Sequence, residues 1–433
     1  MFYLTFIIDQ KIIKGLVNLV KTRTVLVIGA GPAGMMAAGK AALGGSKVII
    51  IDKNKKPGRK LLITGKGRCN ITNFCDTKTF IDSVPTNGKF LYSAINSFTT
   101  YDAIDFFENL GLATKVERGN RVFPKSDKSH DVLSAMLKFI NENGCTFIND
   151  KVQKLIIKDK KVIGAKLESG KEILADAIVV ACGGLSYPMT GSSGDGYKFA
   201  RQAGHTIIDP KPSLVPIVSN SFWRRDLQGL SLKNVAISVL DNDSGSIIYK
   251  DFGEMLFTHF GLSGPIILSA SSHMRNIRPQ KYSILIDLKP ALNFEKLDLR
   301  IQRDFLKYQN KDLSNALHDL LPRKLIPVII KLLNIDSKTK CNQITKEERH
   351  RLCDLLKGFK VIVDDFRPID EAIITSGGVK TSEINPKTME SKIIKNLYFA
   401  GEVIDVDAYT GGFNLQIAYS TGFLAGNSAG GTI

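Results

Sequence analysis

The stretch from Thr24 to Asn73, TVLVIGAGPAGMMAAGKAALGGSKVIIIDKNKKPGRKLLITGKGRCNITN, leaves this chain few folds to choose from. It opens on the apolar run Val25-Leu26-Val27-Ile28, long enough for one buried strand and too short for a buried helix. Gly29, Gly31 and Gly34 follow in G-x-G-x-x-G spacing, and the Ala-rich run from Met35 to Leu43 reads as a helix. A second apolar run, Lys47 to Ile51, ends at Asp52. The pattern predicts a βαβ unit that binds a dinucleotide. Gly29 permits the tight turn, Gly31 lets the backbone approach a pyrophosphate, and Gly34 lets helix and strand pack closely. The pyrophosphate is expected on the unpaired N–H groups and positive end of the helix. Asp52, about 20 residues on, stands where a carboxylate takes ribose hydroxyls, which favours a free 2′-OH.

The rest of the composition fits a folded, soluble chain of two or three domains: 433 residues, 43% hydrophobic and 23% charged. Its charge is less ordinary, with 59 Lys+Arg against 42 Asp+Glu, a net +17. Such a protein attracts phosphate polyanions; the alternative is a lysine-rich compositional bias with no partner behind it. The runs Lys53-Asn54-Lys55-Lys56-Pro57-Gly58-Arg59-Lys60 and Trp223-Arg224-Arg225 lean towards a partner. Cys69, Cys75, Cys145, Cys182, Cys341 and Cys353 include no C-x-x-C pair and no metal-ligand grouping with histidine, so no metal is expected and a reducing compartment is. Residues 1–23 read as an N-terminal extension, since the apolar run Phe2 to Ile8 is too short for a signal core and stops at Asp9. No run approaches a membrane span, and a cytoplasmic protein is expected.

Further along, Gly58 to Asn70 is a glycine-punctuated loop placed to wrap a cofactor. Helices are expected over 89–110 and 127–143, and a β-meander over 146–174 with a turn at Lys158-Asp159-Lys160. Ile173 to Ala181 reads as one buried strand leading into Cys182-Gly183-Gly184, bare backbone where something large must pass. The loop Thr190 to Gly196 opens a helix but lacks the Lys-Ser/Thr of a P-loop. Residues 206–290 fit an inserted β domain and 291–357 a helical insertion. Asn396 to Glu402 is a strand running into glycine, and Gly411-Gly412 precede a helix from Phe413. A helix aimed this way stabilises the negative charge that a reduced flavin carries on its pyrimidine side.

These regions resemble the BaiN/RdsA-like, YhiN-type family of NAD(P)/FAD-dependent oxidoreductases. The motifs that carry the likeness are GRKLLITGKGRCNITN (58–73), ACGGLSYPMTGSSGDGY (181–197), FGEMLFTHFGLSGPIIL (252–268), RPIDEAIITSGGV (367–379) and EINPKTMESKIIKNLYFAGEVIDVDAYTGGFNLQIAYSTG (383–422), beside the opening fingerprint. Ala408-Tyr409 stand where the family pattern has Gly and a variable residue. The resemblance implies an α/β fold: a discontinuous Rossmann-like FAD-binding domain, 24–205 and 358–433, interrupted by the β and helical insertions. It implies that Gly29, Ala30, Gly31 and Gly34 hold the pyrophosphate and Asp52 the adenosine ribose. Arg59, Lys60, Gly67, Arg68, Cys69, Asn70, Gly183, Gly401, Glu402, Gly412, Asn414, Leu415 and Gln416 would line the cofactor, and Val152 would meet adenine through its backbone.

The family's activities reduce a carbon–carbon double bond conjugated to a carbonyl, which asks for hydride from reduced flavin, a general acid and a donor for the carbonyl oxygen. Cys69 beside Arg68 is the candidate acid, on the expectation that a neighbouring cation lowers a thiol's pKa; the alternative is a small packing residue. Arg68 is a candidate oxyanion or phosphate partner, or else a structural ion pair. His259 is a candidate for substrate contact or proton transfer, or a hydrogen-bonded structural histidine. Asp405 and Asp407 would cap the following helix or orient a ligand, and Trp223 would stack on a nucleobase or simply pack. With no second G-x-G-x-x-G, an NAD(P)H donor must bind transiently, or electrons come from elsewhere. Three functions stay open: reduction of uridine in ribosomal RNA, reduction of small enones of the dehydro bile acid type, and a non-catalytic flavin-bearing RNA-binding or assembly protein.

Overall fold

The computed structural model describes residues 22–431, so the expected N-terminal extension lies almost wholly outside the described residues. The chain forms two compact units, Met1–Lys211 with Thr375–Ile433, and Pro212–Ile374.

The first unit is built on a five-stranded parallel sheet in the spatial order Leu397–Phe399, Ala177–Val180, Thr24–Ile28, Lys47–Asp52, Thr146–Asn149. Val25, Leu26, Val27, Ile178 and Val179 are fully buried, as expected for a parallel sheet covered on both faces. From the central strand the chain winds outward to Lys47–Asp52 and Thr146–Asn149, then returns to the other side. That reversal creates a crevice at the carboxyl ends of the strands, where ligands of such sheets bind. The register sets Ile28 level with both Val180 and Ile51, and Val180 with Phe399, so Gly29, Asp52, Ala181 and Ala400 emerge side by side.

Helix Pro32–Leu43 packs against the C-terminal helix Phe413–Gly430 through a stripe of small residues. A Cβ added at Gly422 would lie 2.4 Å from the Ala33 carbonyl oxygen, and one at Gly426 would lie 2.3 Å from that of Ala37. Two three-stranded antiparallel sheets also belong to the unit: the meander Val152–Lys158, Lys161–Leu167, Glu172–Leu174, and a sheet in which Arg121–Pro124 lies between Thr72–Asn73 and Thr114–Glu117.

Two expectations change here. The run Ile173 to Ala181 is two strands, Glu172–Leu174 in the meander and Ala177–Val180 in the parallel sheet. The break falls at Asp176, whose carboxylate accepts from Thr24 N–H at 2.9 Å while its own N–H donates to the Thr24 carbonyl at 2.8 Å. Likewise 89–110 divides into Tyr92–Ser97 and Thr100–Asn109, because Thr99 and Asp102 form a capping box that starts a new helix. Helix Ser129–Glu142 occupies the second expected stretch.

The second unit holds a seven-stranded antiparallel sheet with helices Phe294–Lys307, Leu325–Leu333 and Lys346–Lys357 sharing its core. Strand Phe359–Val363 pairs with Tyr282–Asp287 in that sheet, so this unit runs past the sequence boundary at 358. Its alternation explains the placement: Phe359, Val361 and Val363 are buried and Lys360 and Ile362 face outward, the pattern of a half-buried antiparallel strand. Trp223 is only 2% exposed, with its ring 5.4 Å from Phe257 and 5.6 Å from Phe359, so it is a core residue of this unit.

Candidate cofactor and active site

The glycine turn is stitched into its surroundings. Gly29 N–H donates to the Ile51 carbonyl at 2.8 Å, and Gly58 N–H donates to the Ala30 carbonyl at 2.9 Å. Asp52 accepts from Ala30 N–H at 2.8 Å through one oxygen and from Asn54 N–H at 2.7 Å through the other. The three glycines face different spaces. A Cβ on Gly34 would lie 1.9 Å from the Gly29 oxygen and one on Gly29 2.4 Å from the Ala181 oxygen, whereas one on Gly31 would meet no atom within 4 Å. Gly29 and Gly34 therefore serve packing, and Gly31 leaves open room beside the start of a helix that has no side-chain cap.

Opposite, Lys60 donates to Glu402 at 2.6 Å and to Ser186 Oγ at 2.6 Å. Glu402 also accepts from Ser186 Oγ at 2.8 Å and Thr375 N–H at 2.8 Å, and Thr375 Oγ1 accepts from Leu185 N–H at 2.8 Å and Ser186 N–H at 3.0 Å. This network joins the short helix Arg59–Ile63, the strand end after Val180 and the turn after Phe399. A Cβ on Gly184 would lie 2.5 Å from Thr375 Oγ1, which makes the second glycine of the pair a packing requirement; Gly183 takes φ +71°. Sequence reasoning passed over Ser186 and Thr375. Their only signal was membership of the 181–197 and 367–379 motifs.

The loop that carries the catalytic candidates folds differently from expectation. Gly67 and Cys69 both take left-handed φ, +84° and +58°. Arg68 turns outward, ion-paired with Glu117, donating to Asp127 at 2.8 Å and stacked 4.1 Å above the Phe123 ring. Cys69 is fully buried, and burial pushes its thiol up to about 12, with a Thr64 hydrogen bond only partly offsetting it. The neighbouring cation does not lower this thiol, because Arg68 is committed elsewhere.

Arg59 donates to Asn54 at 3.1 Å and is exposed. Gln416 is buried and internally satisfied: it accepts from Thr72 Oγ1 at 2.6 Å and donates to the Phe98 carbonyl at 3.0 Å. Asn414 accepts from Ala408 N–H at 2.9 Å and donates to the Ala408 carbonyl at 2.8 Å, fixing the loop at which the chain departs from the family pattern. Leu415 is partly buried beside the core. Gly401 N–H donates to Thr421 Oγ1 at 2.9 Å, and a Cβ on Gly412 would strike Thr72 backbone at 2.4 Å. Asp405 and Asp407 do not cap the last helix, whose N-cap is Gly412 with no side-chain cap; Asp405 accepts from Asn87 at 2.9 Å and Asp407 from Ser376 at 2.9 Å. Val152 is buried at the start of the meander. His259 belongs to the second unit, exposed beside Phe260.

The residues present fit FAD. Two helices, Pro32–Leu43 and Phe413–Gly430, begin at glycines without side-chain caps, which suits a pyrophosphate and an electron-rich ring edge. The Oδ1 of Asn70 and the hydroxyl of Tyr419 are buried polar atoms with no hydrogen-bond partner among the described residues. Orphans of this kind are costly unless a ligand or water completes them. Tyr419, one turn beyond Leu415, was not singled out by sequence.

The family model described as HI0933-like protein Rossmann domain matches residues 23–428. The chain belongs to the HI0933-like family. As a member of it, the chain is an FAD-dependent oxidoreductase. Two curated relatives are similar along most of their length. The 3-dehydro-bile acid delta(4,6)-reductase of Clostridium scindens is 30% identical over 93% of this chain and 98% of the relative. The ribosomal RNA dihydrouridine synthase of Escherichia coli is 32% identical over 92% of this chain and 95% of the relative. Among solved structures, the 3-ketosteroid-delta4-(5alpha)-dehydrogenase of Rhodococcus jostii shares the fold, with a TM-score of 0.52, 13% identity, and coverage of 96% of this chain and 98% of that one. Among the described residues no helix is long and apolar enough to cross a membrane, and no group of three or more His, Cys, Asp or Glu is placed to hold a metal.

Proposed function

We propose that this HI0933-like protein reduces uridine to dihydrouridine in ribosomal RNA, with electrons from NAD(P)H. Both curated relatives carry names that describe a bond conjugated to a carbonyl: the uracil C5=C6 bond and an unsaturated oxo-steroid. The observation that favours RNA is charge. Beyond the net +17, Lys55, Lys56, Arg59 and Lys66 stand exposed along the segment 53–68, the same segment whose Lys60 is tied to Glu402. A small enone has no use for that field, whereas a polyphosphate is drawn to it.

FAD, once reduced by NAD(P)H, would supply hydride to the ring carbon β to the carbonyl, and water would supply the proton to the α carbon. The chain's own residues prepare the place. The uncapped start of Phe413–Gly430 offers N–H groups to developing negative charge. Glu402 gathers Lys60, Ser186 and Thr375 into one rigid wall. On this reading Cys69 and Arg68 shape the loop, Cys69 through buried packing and Arg68 through its ion pairs, and neither moves the proton. With no second glycine fingerprint, the nicotinamide donor binds transiently.

The test is to incubate FAD-loaded protein and NADPH with ribosomal RNA transcribed in vitro. A nucleoside heavier by two hydrogens, formed only when protein and donor are both present, supports the reading. NADPH oxidation accelerated by a steroid enone and indifferent to RNA supports the small-molecule alternative instead.

A further inference from the structure

Phe74 and Tyr101 are large aromatic side chains left 45% and 44% exposed, and their rings meet edge to face at 5.1 Å. Packing alone does not account for them. Thr72, Asn73 and Cys75 are all buried, so the chain turns only Phe74 outward from this stretch. Its backbone is held on both sides: Phe74 N–H donates to the Asn120 carbonyl at 2.7 Å, and the Cys75 carbonyl accepts from Thr100 Oγ1 at 2.6 Å. Tyr101 follows Thr100 at the start of a helix fixed by the Thr99–Asp102 capping box. Two rings are thus presented to solvent on backbone that cannot drift, which is how a recognition surface is preorganised.

Charge and position narrow what the surface fits. Arg118 and Lys125 are exposed on the hairpin that Phe74 is tied to, and Arg121 is half-buried there. Most of the nearby acids are engaged within the protein, Glu117 and Asp127 by Arg68 and Lys115, Asp76 by Thr79 N–H, and Asp102 by Thr99, while Asp105, one turn along the helix from Tyr101, stands exposed. The neighbouring Asn73 donates to the Gly119 carbonyl at 3.0 Å and to the Gly411 carbonyl at 3.1 Å. Gly411 adjoins Gly412, the N-cap of the C-terminal helix, so Phe74 is the chain neighbour of a residue that touches the turn opening that helix. Outward rings beside cations are the chemistry of single-stranded nucleic acid, in which bases stack and phosphates pair.

We propose that Phe74 and Tyr101 form a base-stacking platform that holds unpaired nucleotides flanking the target uridine, with Arg118 and Lys125 on the phosphates. The proposal rests on the RNA reading above. The platform acts on binding: it contributes to affinity for single-stranded RNA and leaves flavin reduction by NADPH untouched.

The experiment uses the FAD-loaded full chain with two probes, a fluorescent oligouridylate and unmodified ribosomal RNA. The double variant Phe74→Leu with Tyr101→Leu keeps apolar packing and removes the rings. It is expected to bind oligouridylate at least about tenfold more weakly and to raise KM for ribosomal RNA, with flavin absorbance, melting temperature and NADPH-driven flavin reduction unchanged. Phe74→Trp is expected to retain affinity, and Arg118→Ala to lower the salt dependence of binding by about one counterion. A leucine double variant that binds oligouridylate and turns over ribosomal RNA like the wild type overturns the platform. If the wild type forms no dihydrouridine while the variant still loses oligouridylate affinity, the RNA-reduction reading fails and the platform stands. If the wild type binds no RNA at all, the platform fails, and the exposed rings are then to be assigned to a protein partner.

Discussion

Lys60 Nζ lies 2.6 Å from Glu402 Oε2, joining residues 342 positions apart across the carboxyl end of the parallel sheet. Neither side chain is free of other duties, since Ser186 bonds to both and Thr375 N–H donates to the same carboxylate. Removing the acceptor strands three donors together. Glu402→Ala is therefore expected to lower the stability of the flavin-free protein by about 1.5–3 kcal/mol, the range for hydrogen bonds to a charged group, read by chemical denaturation. Glu402→Gln should recover part of that loss, because the amide oxygen can still accept.

Gly31 and Gly34 separate the demands of ligand and fold. Gly31 has φ −81° and open space where a Cβ would stand, so Gly31→Ala should fold with unchanged flavin-free stability and bind FAD weakly, read by absorbance of the purified protein after adding FAD. Gly34→Ala drives a Cβ to 1.9 Å from the Gly29 oxygen and should lower stability itself, by about 1–3 kcal/mol or more.

Cys69 yields a prediction on reactivity and one on turnover. Burial pushes its thiol up to about 12, so iodoacetamide at pH 8 should leave it unlabelled in the native protein and label it after unfolding, as peptide mass spectrometry would show. Cys69→Ala should keep RNA reduction within about threefold; a loss of about a hundredfold at unchanged flavin content would restore it as the proton donor.

His205 predicts the acid side of the stability profile. Its ring is buried, with Nε2 2.7 Å from Ser391 Oγ and Nδ1 3.2 Å from Glu383, and burial lowers its pKa against the opposing pull of that carboxylate. A depressed histidine pKa means that the unfolded chain binds the extra proton first. Stability contributed by the neutral ring is complete above the unfolded value of about 6.5 and declines as pH falls below it. His205→Gln should flatten that decline in melting temperature between about pH 7 and 5.

The glycine spacing from Gly29 to Gly34 and the acid at Asp52 were legible because each part of a βαβ crossover leaves its own local mark. The site's walls were less so. Ser186 and Thr375 meet through a hydrogen bond spanning 189 positions, and no local pattern announces such a meeting. Asp176 lies inside the run Ile173 to Ala181 that reads as one strand, and its part in breaking that run depends on Thr24, which only the folded sheet brings alongside. For Trp223 beside Arg224 and Arg225 the sequence allows stacking or packing alike, and a short helical turn decides for packing, sending the indole inward while the arginines stay out of the core. The pairing of Arg68 with Glu117 and Asp127 likewise depends on a hairpin that sequence reading had not drawn.

The most direct test is mass spectrometry of nucleosides from purified ribosomal RNA of cells with and without the gene. The account predicts that dihydrouridine is lost from ribosomal RNA in the deletion, returns when the wild-type chain is supplied, and stays absent with Gly31→Ala. Dihydrouridine undiminished at every ribosomal position in the deletion would contradict it.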